Sequence, residues 1–346
     1  MNLKEVPIIY TLETTGVAGG HKIVFEQINA LYDEGYNVHL WALGGQPKWF
    51  DLKVPVGNYP HYHALRNALT EMNDAIKVAT WWKTADPVYT SVTEGGGWGF
   101  YLVQDIETSY YSHMNGHPDA GRVLESYNFD LNFLTTSPWV TENLKKHARK
   151  KEQITEIGLG IDLDVYTPNK RLVDVPELVT IARRNPLKNF PLAVETIRLS
   201  MDKVEKLHVS LFGIEQMSLT GNAHLLINPT NDEVATLYRG ARCYLATSKH
   251  EGYNLPVLEA MASGCPVVTT LADGNNHFCV HEENCLIGTT AEELSEAIKR
   301  IMTDDKLADK LRKNGLQTAK EHSWNISIKK LIQAFSEAVG GNNEIK

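Results

Sequence analysis

The chain has 346 residues, of which 42% are hydrophobic and 22% are charged, and its formal net charge is −8. These fractions are ordinary for a globular protein. The negative charge argues against a protein-wide attraction to nucleic acid or anionic lipid, and the lack of any run of about 18 apolar residues excludes a membrane-spanning helix. A single hydrophobic core stops growing near about 250–300 residues, so two domains are expected.

The first half of the chain alternates strand-like apolar runs with helix-like periodic runs, as is typical of a parallel α/β sheet. A strand at residues 7–10, a glycine-containing loop at 14–20, a helix at 21–34 and a strand at 37–42 form its first unit. Further strands are predicted at 87–92, 100–103 and 133–136, and a helix is predicted at 138–151.

A second set of such elements begins near residue 177, after a polar segment at 162–176 that contains two prolines and is typical of a linker. The predicted division is an N-terminal Rossmann-like domain at 1–165, a C-terminal Rossmann-like domain at 177–325, and a final helix with a disordered tail at 326–346. Doubly wound sheets bind ligands outside the carboxyl ends of their strands. We therefore expect two such α/β domains facing a central cleft that takes a phosphorylated small molecule.

The strongest local signal is the segment from Glu251 to Gly264, in which a strand end, a turn and a helix start follow one another. Pro256 suits a first helical position. The amides of Asn254 and Leu255 then lie at the positive end of the helix, a site suited to a diphosphate. Glu251 and Glu259 could accept hydrogen bonds from sugar and ribose hydroxyls. The alternative is that both acids merely face solvent.

Two cations five residues apart follow the first strand of the second half, at Arg183 and Lys188. An arginine fork and a lysine point charge suit the two phosphates of a nucleotide sugar. A solvated basic loop is the alternative.

The third feature is a glycine pair in the first half of the chain. Gly19 and Gly20 precede the first helix and would allow close approach of a phosphate, although a plain tight turn explains them equally well.

Together these elements resemble the retaining group 1 glycosyltransferases, often called family 4, of the GT-B fold. The resemblance implies that Glu251 contacts the transferred sugar, that Glu259 contacts the donor ribose, and that Arg183 and Lys188 hold the diphosphate. It also implies donor contacts through the backbone at three consecutive residues, Tyr253, Asn254 and Leu255, and matches Gly19 and Gly20 to the glycine loop of the acceptor-side domain. The final helix is expected to cross back to the first domain.

One departure from the family pattern occurs at Gln104-Asp105-Ile106-Glu107, where many relatives carry a histidine-aspartate pair. This variant is similar to a rhamnosyltransferase-like branch with a Gln-Asp-x-Glu motif. Gln104 and Asp105 are candidate replacements for the missing histidine, and a capped loop with an exposed acidic face is the alternative. Trp98, beside the glycines at 95–97, is a further candidate on the acceptor side.

The resemblance implies transfer of a sugar from a UDP-, GDP- or dTDP-linked donor to a hydroxyl, with retention of configuration and without a cofactor. Asp162-Leu163-Asp164 matches a metal-binding pattern of another fold by chance, so no metal is expected.

The sequence does not identify the acceptor. Glycans, lipid-linked saccharides and modified nucleic acid stay open as acceptors, and the oligomeric state stays open as well. A catalytically silent nucleotide-sugar-binding protein and a GT-B epimerase are the rival functions.

The expected location is the cytoplasm, because the N-terminus has no signal-peptide architecture and because buried free thiols in a reducing compartment are the simplest account of the four cysteines, which form no C-x-x-C pair. The basic segment 145–151 could touch the inner face of a membrane, although a solvated helix end explains it as well.

Overall fold

The computed structural model describes residues 1–111, 118–168, 177–217 and 223–340. The chain divides into two compact units: unit 1 comprises Met1–Leu159 and the segment from Asn325 onward, and unit 2 comprises Gly160–Trp324. The predicted disordered tail after residue 340 and residues 169–176 of the predicted linker lie outside the described residues.

Unit 1 is a parallel α/β unit. Its elements before the crossing into unit 2 are β1 (Ile8–Leu12), α1 (Gly19–Asp33), β2 (Val38–Ala42), β3 (Val56–Asn58), α2 (Tyr62–Thr70), β4 (Ile76–Ala79), α3 (Trp82–Gly95), β5 (Trp98–Val103), α4 (Pro118–Ser126), β6 (Asn132–Thr135), α5 (Pro138–His147) and β7 (Ile154–Glu156). Across the described ranges its seven strands pair in parallel in the order β3-β2-β1-β4-β5-β6-β7. All five residues of β1 are buried, as expected for a strand inside a parallel sheet.

The strand predicted at residues 87–92 is wrong, because this segment lies inside α3. Its β-branched and aromatic residues favour a strand locally. Trp82, Ala85 and Val88, however, recur at helical spacing and are buried in the core of unit 1. The Thr84 hydroxyl accepts from the backbone N–H of Trp81 at 3.2 Å and caps the helix. Tertiary packing of one helix face therefore outweighs the local preference.

Unit 2 repeats the alternation. Its elements are β8 (Glu177–Ala182), α6 (Phe190–Lys203), β9 (His208–Gly213), β10 (Ala223–Ile227), α7 (Asn231–Gly240), β11 (Cys243–Ala246), α8 (Leu255–Ala262), β12 (Val267–Thr269), β13 (Leu286–Ile287), α9 (Ala291–Thr303) and α10 (Asp305–Glu321). In the described part of the unit six strands pair in parallel in the order β10-β9-β8-β11-β12-β13. Leu178, Ile197 and Ile298 are core residues here and come from a strand and two helices.

The last helix, α11 (Trp324–Gly340), packs within unit 1 from Asn325 onward. Phe335 meets Phe100 of β5 edge to face, with ring centroids 4.9 Å apart. The hydroxyl of Ser327 donates to the carbonyl of Gly158 at 3.1 Å. A buried aromatic contact and a hydrogen bond to the backbone thus fix α11 in unit 1.

Candidate functional site

The sheet of unit 2 reverses its strand order between β8 and β11. From β8 the chain adds β9 and β10 on one side, and it then returns to place β11, β12 and β13 on the other side. Leu178 of β8 pairs with Cys243 of β11, so the two strands end at the same edge of the sheet. Such a reversal opens a crevice at the carboxyl ends, where α/β sheets bind ligands.

Lys188 and Glu251 come from the loops that follow these two strands, and their side chains form an ion pair. The Nζ atom of Lys188 lies 2.6 Å from Oε1 and 2.7 Å from Oε2 of Glu251. The lysine side chain is 25% exposed and the glutamate side chain 12%. Ser248 adds a hydrogen bond of 2.6 Å to Oε1. These charge-assisted contacts hold both ionised groups in one place at the sheet edge.

The two loops are also tied together through their backbones. The N–H of Lys249 donates to the carbonyl of Leu187 at 2.8 Å. The hydroxyl of Thr247 lies 3.3 Å from the carbonyls of both Lys188 and Asn189. The position of the lysine relative to the glutamate is therefore set by backbone contacts as well as by the ion pair.

Arg183 is the second predicted cation, and it lies partly buried in the same loop as Lys188. Burial lowers the pKa of its guanidinium, and the nearby carboxylates of Glu215 and Glu251 oppose that effect. An arginine stays protonated in proteins despite such shifts. The neighbouring Arg184 is exposed and donates to the carbonyl of Gln216 at 3.1 Å. Arg183 thus interacts electrostatically with Glu251.

A small pocket opens at this edge, with walls that include Thr180, Lys188, Ser248, Glu251 and Asn254. Pro256 of α8 also lines it. The pocket therefore contains one cation, one carboxylate and the first residues of a helix, a set that suits an anionic ligand bearing hydroxyl groups.

Helix α8 begins at Leu255, with Pro256 at its second position and Asn254 as its N-cap residue. Asn254 has φ 76° and ψ 53° and is 4% exposed, and Leu255 is partly buried. Glu259 lies one turn into the helix and is 7% exposed, so the alternative that it merely faces solvent is wrong. Burial raises the pKa of Tyr244, and the charges of Glu251 and Glu259 raise it further. One phenol is therefore electrostatically close to both acids.

Contacts that the sequence analysis missed hold the loop that carries Glu251. The N–H of Gly274 donates to the carbonyl of Glu251 at 2.8 Å, and a Cβ atom at Gly274 would lie 2.5 Å from that oxygen. The hydroxyl of Tyr253, a buried side chain, lies 2.7 Å from Nδ1 of His322. His250 contacts Asp273 at 2.8 Å. All these partners lie more than 20 positions away, so no local motif could reveal them.

In unit 1 the sheet order reverses between β1 and β4. Gly19 and Gly20 begin α1 in the connection after β1, and Gln104 follows β5. A Cβ atom at Gly20 would lie 3.1 Å from Oε1 of Gln104, so the structure brings these two candidates together. Because Gly20 has no side chain, the side chain of Gln104 can occupy the space beside it.

Asp105 and Glu107 are buried, with 7% and 2% exposure, so the alternative of an exposed acidic face is wrong. One carboxylate oxygen of Glu107 accepts from the backbone N–H of Trp82 at 2.9 Å and from the hydroxyl of Tyr101 at 2.8 Å. Burial raises the pKa of Glu107 to about 8. Glu107 thus caps the start of α3, which is a structural role for the last member of the Gln-Asp-x-Glu motif.

Trp98 lies at the amino end of β5, whereas Gln104 follows the carboxyl end of the same strand. The structure therefore does not bring Trp98 together with Gln104 or Gly20.

The possible metal-binding pattern at Asp162 forms a local turn instead. Asp162 accepts hydrogen bonds from the N–H groups of Asp164 and Val165 at 2.9 and 3.1 Å. In the described ranges, no group of three His, Cys, Asp or Glu residues could hold a metal ion.

Comparison with solved structures defines the class of fold. Sucrose-phosphate synthase from Thermosynechococcus elongatus superposes with a TM-score of 0.83 at 17% identity, covering 98% of this chain and all of that one. Anabaena HepE, solved in complex with UDP-glucose, superposes with a TM-score of 0.80 at 14% identity, covering 97% of this chain and all of that one. The two Rossmann-like units have the GT-B architecture.

Sequence comparison supports one family within that class. Residues 168–318 match the family model described as "Glycosyl transferases group 1". Poly(glycerol-phosphate) alpha-glucosyltransferase from Bacillus subtilis is 24% identical over 69% of this chain and 41% of its own length. MMP alpha-(1->4)-mannosyltransferase from Mycolicibacterium hassiacum is 24% identical over 59% of this chain and 53% of its own length. The chain spans about half the length of these curated relatives, and the matches support group 1 of the GT-B glycosyltransferases.

Across the described residues, the helices are too short or too polar to cross a bilayer. All four cysteines are free and buried, as predicted.

Proposed function

We propose that the protein transfers a sugar from a nucleotide-diphosphate sugar to an acceptor hydroxyl, with retention of anomeric configuration. The observation that carries this proposal is the Lys188–Glu251 pair at the strand-order reversal of unit 2. A cation for the diphosphate and an acid for sugar hydroxyls lie beside the N-terminus of α8 in one pocket. The match of residues 168–318 to group 1 glycosyl transferases supports the same assignment.

The chemical step needs positioning and charge stabilisation. As the bond between the anomeric carbon and the diphosphate oxygen breaks, negative charge grows on the leaving diphosphate, and Arg183 and Lys188 stabilise it. The acceptor oxygen bonds to the anomeric carbon on the same face, and its proton passes to the departing phosphate oxygen. Glu251 orients the sugar, and Glu259 holds the ribose. This assignment leaves no proton-transfer role to a protein side chain and needs no metal ion.

Donor binding is assigned to unit 2. The backbone at Tyr253, Asn254 and Leu255 would contact the diphosphate or the sugar, since the N-terminus of α8 favours an anion. One of the neighbouring structures is titled as a complex with UDP-glucose, which supports a nucleotide-sugar donor here. UDP-, GDP- and dTDP-linked sugars are all candidates.

Acceptor binding is assigned to Gln104 and Asp105 in unit 1, beside the glycine loop at Gly19 and Gly20, whose backbone would allow close approach of a phosphate. The contact between Gly20 and Gln104 supports this grouping, and the position of Trp98 removes it from the proposal. Relatives are named poly(glycerol-phosphate) alpha-glucosyltransferase and D-inositol 3-phosphate glycosyltransferase. Phosphorylated polyols are therefore the first acceptors to test, followed by lipid-linked saccharides and polysaccharide ends.

A two-stage experiment tests the function. A thermal-shift panel of UDP-, GDP- and dTDP-sugars identifies the donor, because a ligand that binds the native state raises the melting temperature. The selected donor is then incubated with acceptors while diphosphate release and the anomeric configuration of the product are measured. Transfer with retention is expected. Binding without any release would indicate a silent binding protein, and epimerisation of the donor sugar would indicate the other rival.

A further inference from the structure

Asn254 has a buried donor group that the fold does not use. The residue is 4% exposed, and its Nδ2 atom has no hydrogen-bond partner among the described residues. A buried amide donor without a partner is costly, and buried polar groups in native proteins are paired in the great majority of cases. An unpaired donor at this position therefore calls for a partner that the folded chain does not itself provide.

The backbone of Asn254 adds a second cost. Its φ of 76° lies in the left-handed region that glycine enters freely and that other residues enter only with strain. Asparagine tolerates this region partly because its side chain can hydrogen-bond locally. Here Nδ2 makes no such bond, so local geometry does not explain why an amide side chain occupies the position.

The surroundings of Asn254 indicate what kind of partner would fit. The residue lines the pocket together with Lys188, Ser248 and Glu251, and it is the N-cap residue of α8, where the helix dipole is positive. The Glu251 carboxylate already accepts from Lys188 and from Ser248. A donor amide beside a lysine at a helix N-terminus matches a phosphoryl oxygen.

We propose that Nδ2 of Asn254 donates a hydrogen bond to a phosphate oxygen of the bound diphosphate. Asn254 then binds the ligand through its side chain, in addition to the backbone contact assigned to it above. Since Nδ2 is inaccessible here, the ligand reaches it by displacing part of the pocket wall. The Lys188–Glu251 pair is the charged part of that wall, and an anion that draws Lys188 away from Glu251 would open it. This inference rests on the proposed function, because it assumes a diphosphate in this pocket.

The side chain and the backbone can be tested separately. In Asn254→Gly the amide is removed while the left-handed backbone becomes easier to adopt. Asn254→Asp keeps the shape but places a carboxylate beside the phosphate. Asn228→Gly is the matched control, because Asn228 also has a positive φ, of 51°, but is exposed and does not line the pocket.

The measurement is the dissociation constant, by calorimetry, of UDP, GDP, dTDP and their sugar conjugates for each variant. Asn254→Gly is expected to bind the nucleoside diphosphate and its sugar conjugate about 10-fold more weakly, as for the loss of a hydrogen bond to a charged group. Asn254→Asp should lose at least as much, and Asn228→Gly should bind like wild type. The melting temperature of Asn254→Gly should not fall.

Three results overturn the inference. Unchanged affinity in Asn254→Gly would show that Nδ2 does not contact the ligand. A loss confined to the sugar conjugates would place the contact on the sugar and not on the phosphate. A wild-type protein that binds none of the nucleotides would remove the proposed function together with this inference, which distinguishes that failure from the first two.

Discussion

Lys188 and Glu251 lie 63 positions apart in the sequence, yet Nζ of the lysine contacts both carboxylate oxygens of the glutamate. In the ligand-free protein, the cation proposed for the diphosphate and the acid proposed for the sugar neutralise each other. In the proposed function, a diphosphate would compete with Glu251 for Lys188, and Glu251 would then be free to accept from sugar hydroxyls. Donor binding would thus exchange one set of charge-assisted contacts for another.

The substitution Lys188→Ala tests the leaving-group role. Turnover should fall about 100- to 1,000-fold, the usual effect of removing one stabilising donor from a transition state. The measurement is the initial rate of nucleoside diphosphate release at saturating donor, with circular dichroism to check the fold. Arg184→Ala is the control, because Arg184 is an exposed cation in the same loop that pairs with Glu215. Near-normal transfer by Lys188→Ala would refute the assignment.

Gly274→Ala tests how strictly the loop carrying Glu251 must be placed. The added Cβ atom would lie 2.3 Å from the carbonyl carbon of Gly252 and 2.5 Å from the carbonyl oxygen of Glu251, so the backbone must shift. We expect at least a 10-fold loss of turnover, since small misplacements of a site are costly. We also expect destabilisation of about 1–3 kcal/mol, as for overpacking. Turnover assays and thermal melts measure the two effects.

The control for this experiment is Gly240→Ala. Gly240 ends α7 in the same unit, and a Cβ atom there would meet nothing within 4 Å. Its turnover and melting temperature should match those of wild type. Equal behaviour of the two alanine variants would show that the backbone around Glu251 adapts freely, and the loop would then not need its present geometry.

The fold class could be predicted from the sequence because parallel α/β units leave a strong pattern of apolar runs and helical periods. The GT-B architecture predicted from that pattern and the resemblance is confirmed by the structural comparisons. The segment 87–92 shows where the pattern fails. Its β-branched residues favour a strand, and only packing against the rest of unit 1 makes it part of α3.

The candidate site was predictable in its parts but not in its contacts. Glu251 and Lys188 each stand out through a local motif, and whether they bind a donor stays a prediction. Their ion pair depends on β8 and β11 being neighbours in the sheet, which no local motif records. Gly274 and His322 were missed for the same reason, because their partners Glu251 and Tyr253 are distant in sequence.

Lys77 is a fully buried lysine in β4, and it provides a test of stability against pH. Its Nζ atom donates to the carbonyls of Gly96 and Ser91, at 2.9 and 3.3 Å, at the C-terminal end of α3. Burial lowers its pKa from 10.5 to about 8. Between these pH values the unfolded chain binds more protons, so the free energy of unfolding should rise as the pH increases from 8 toward 10.5.

Comparison with Lys77→Met isolates this contribution, because methionine does not titrate. As the pH rises from 8 toward 10.5, the free energy of unfolding of wild type should increase relative to that of Lys77→Met. Chemical denaturation at several pH values measures this difference. Lys145→Met, at an exposed position of α5, controls for the loss of one surface charge. A difference for Lys77→Met that stays constant with pH would show that this lysine does not titrate differently in the folded protein.

Glu107 should give the opposite dependence in a lower pH range. Burial raises the pKa of its carboxyl from 4.5 to about 8, with a smaller contribution from the nearby Asp105. Between these values the folded protein binds more protons than the unfolded chain. The contribution of Glu107 is therefore fully present below pH 4.5 and is lost as the pH rises toward 8, by at most about 1.4 kcal/mol per pH unit.

Glu107→Gln should remove this slope, because glutamine can still accept from Trp82 and Tyr101 but does not titrate. Differential scanning calorimetry between pH 5 and 8 should show wild type losing stability relative to the variant as the pH rises. Glu125→Gln, on the exposed side of α4, controls for the change of one surface charge. If wild type and Glu107→Gln instead followed parallel curves, the carboxyl would be ionised in the folded state at these pH values, and its contacts with Trp82 and Tyr101 would be those of a charged cap.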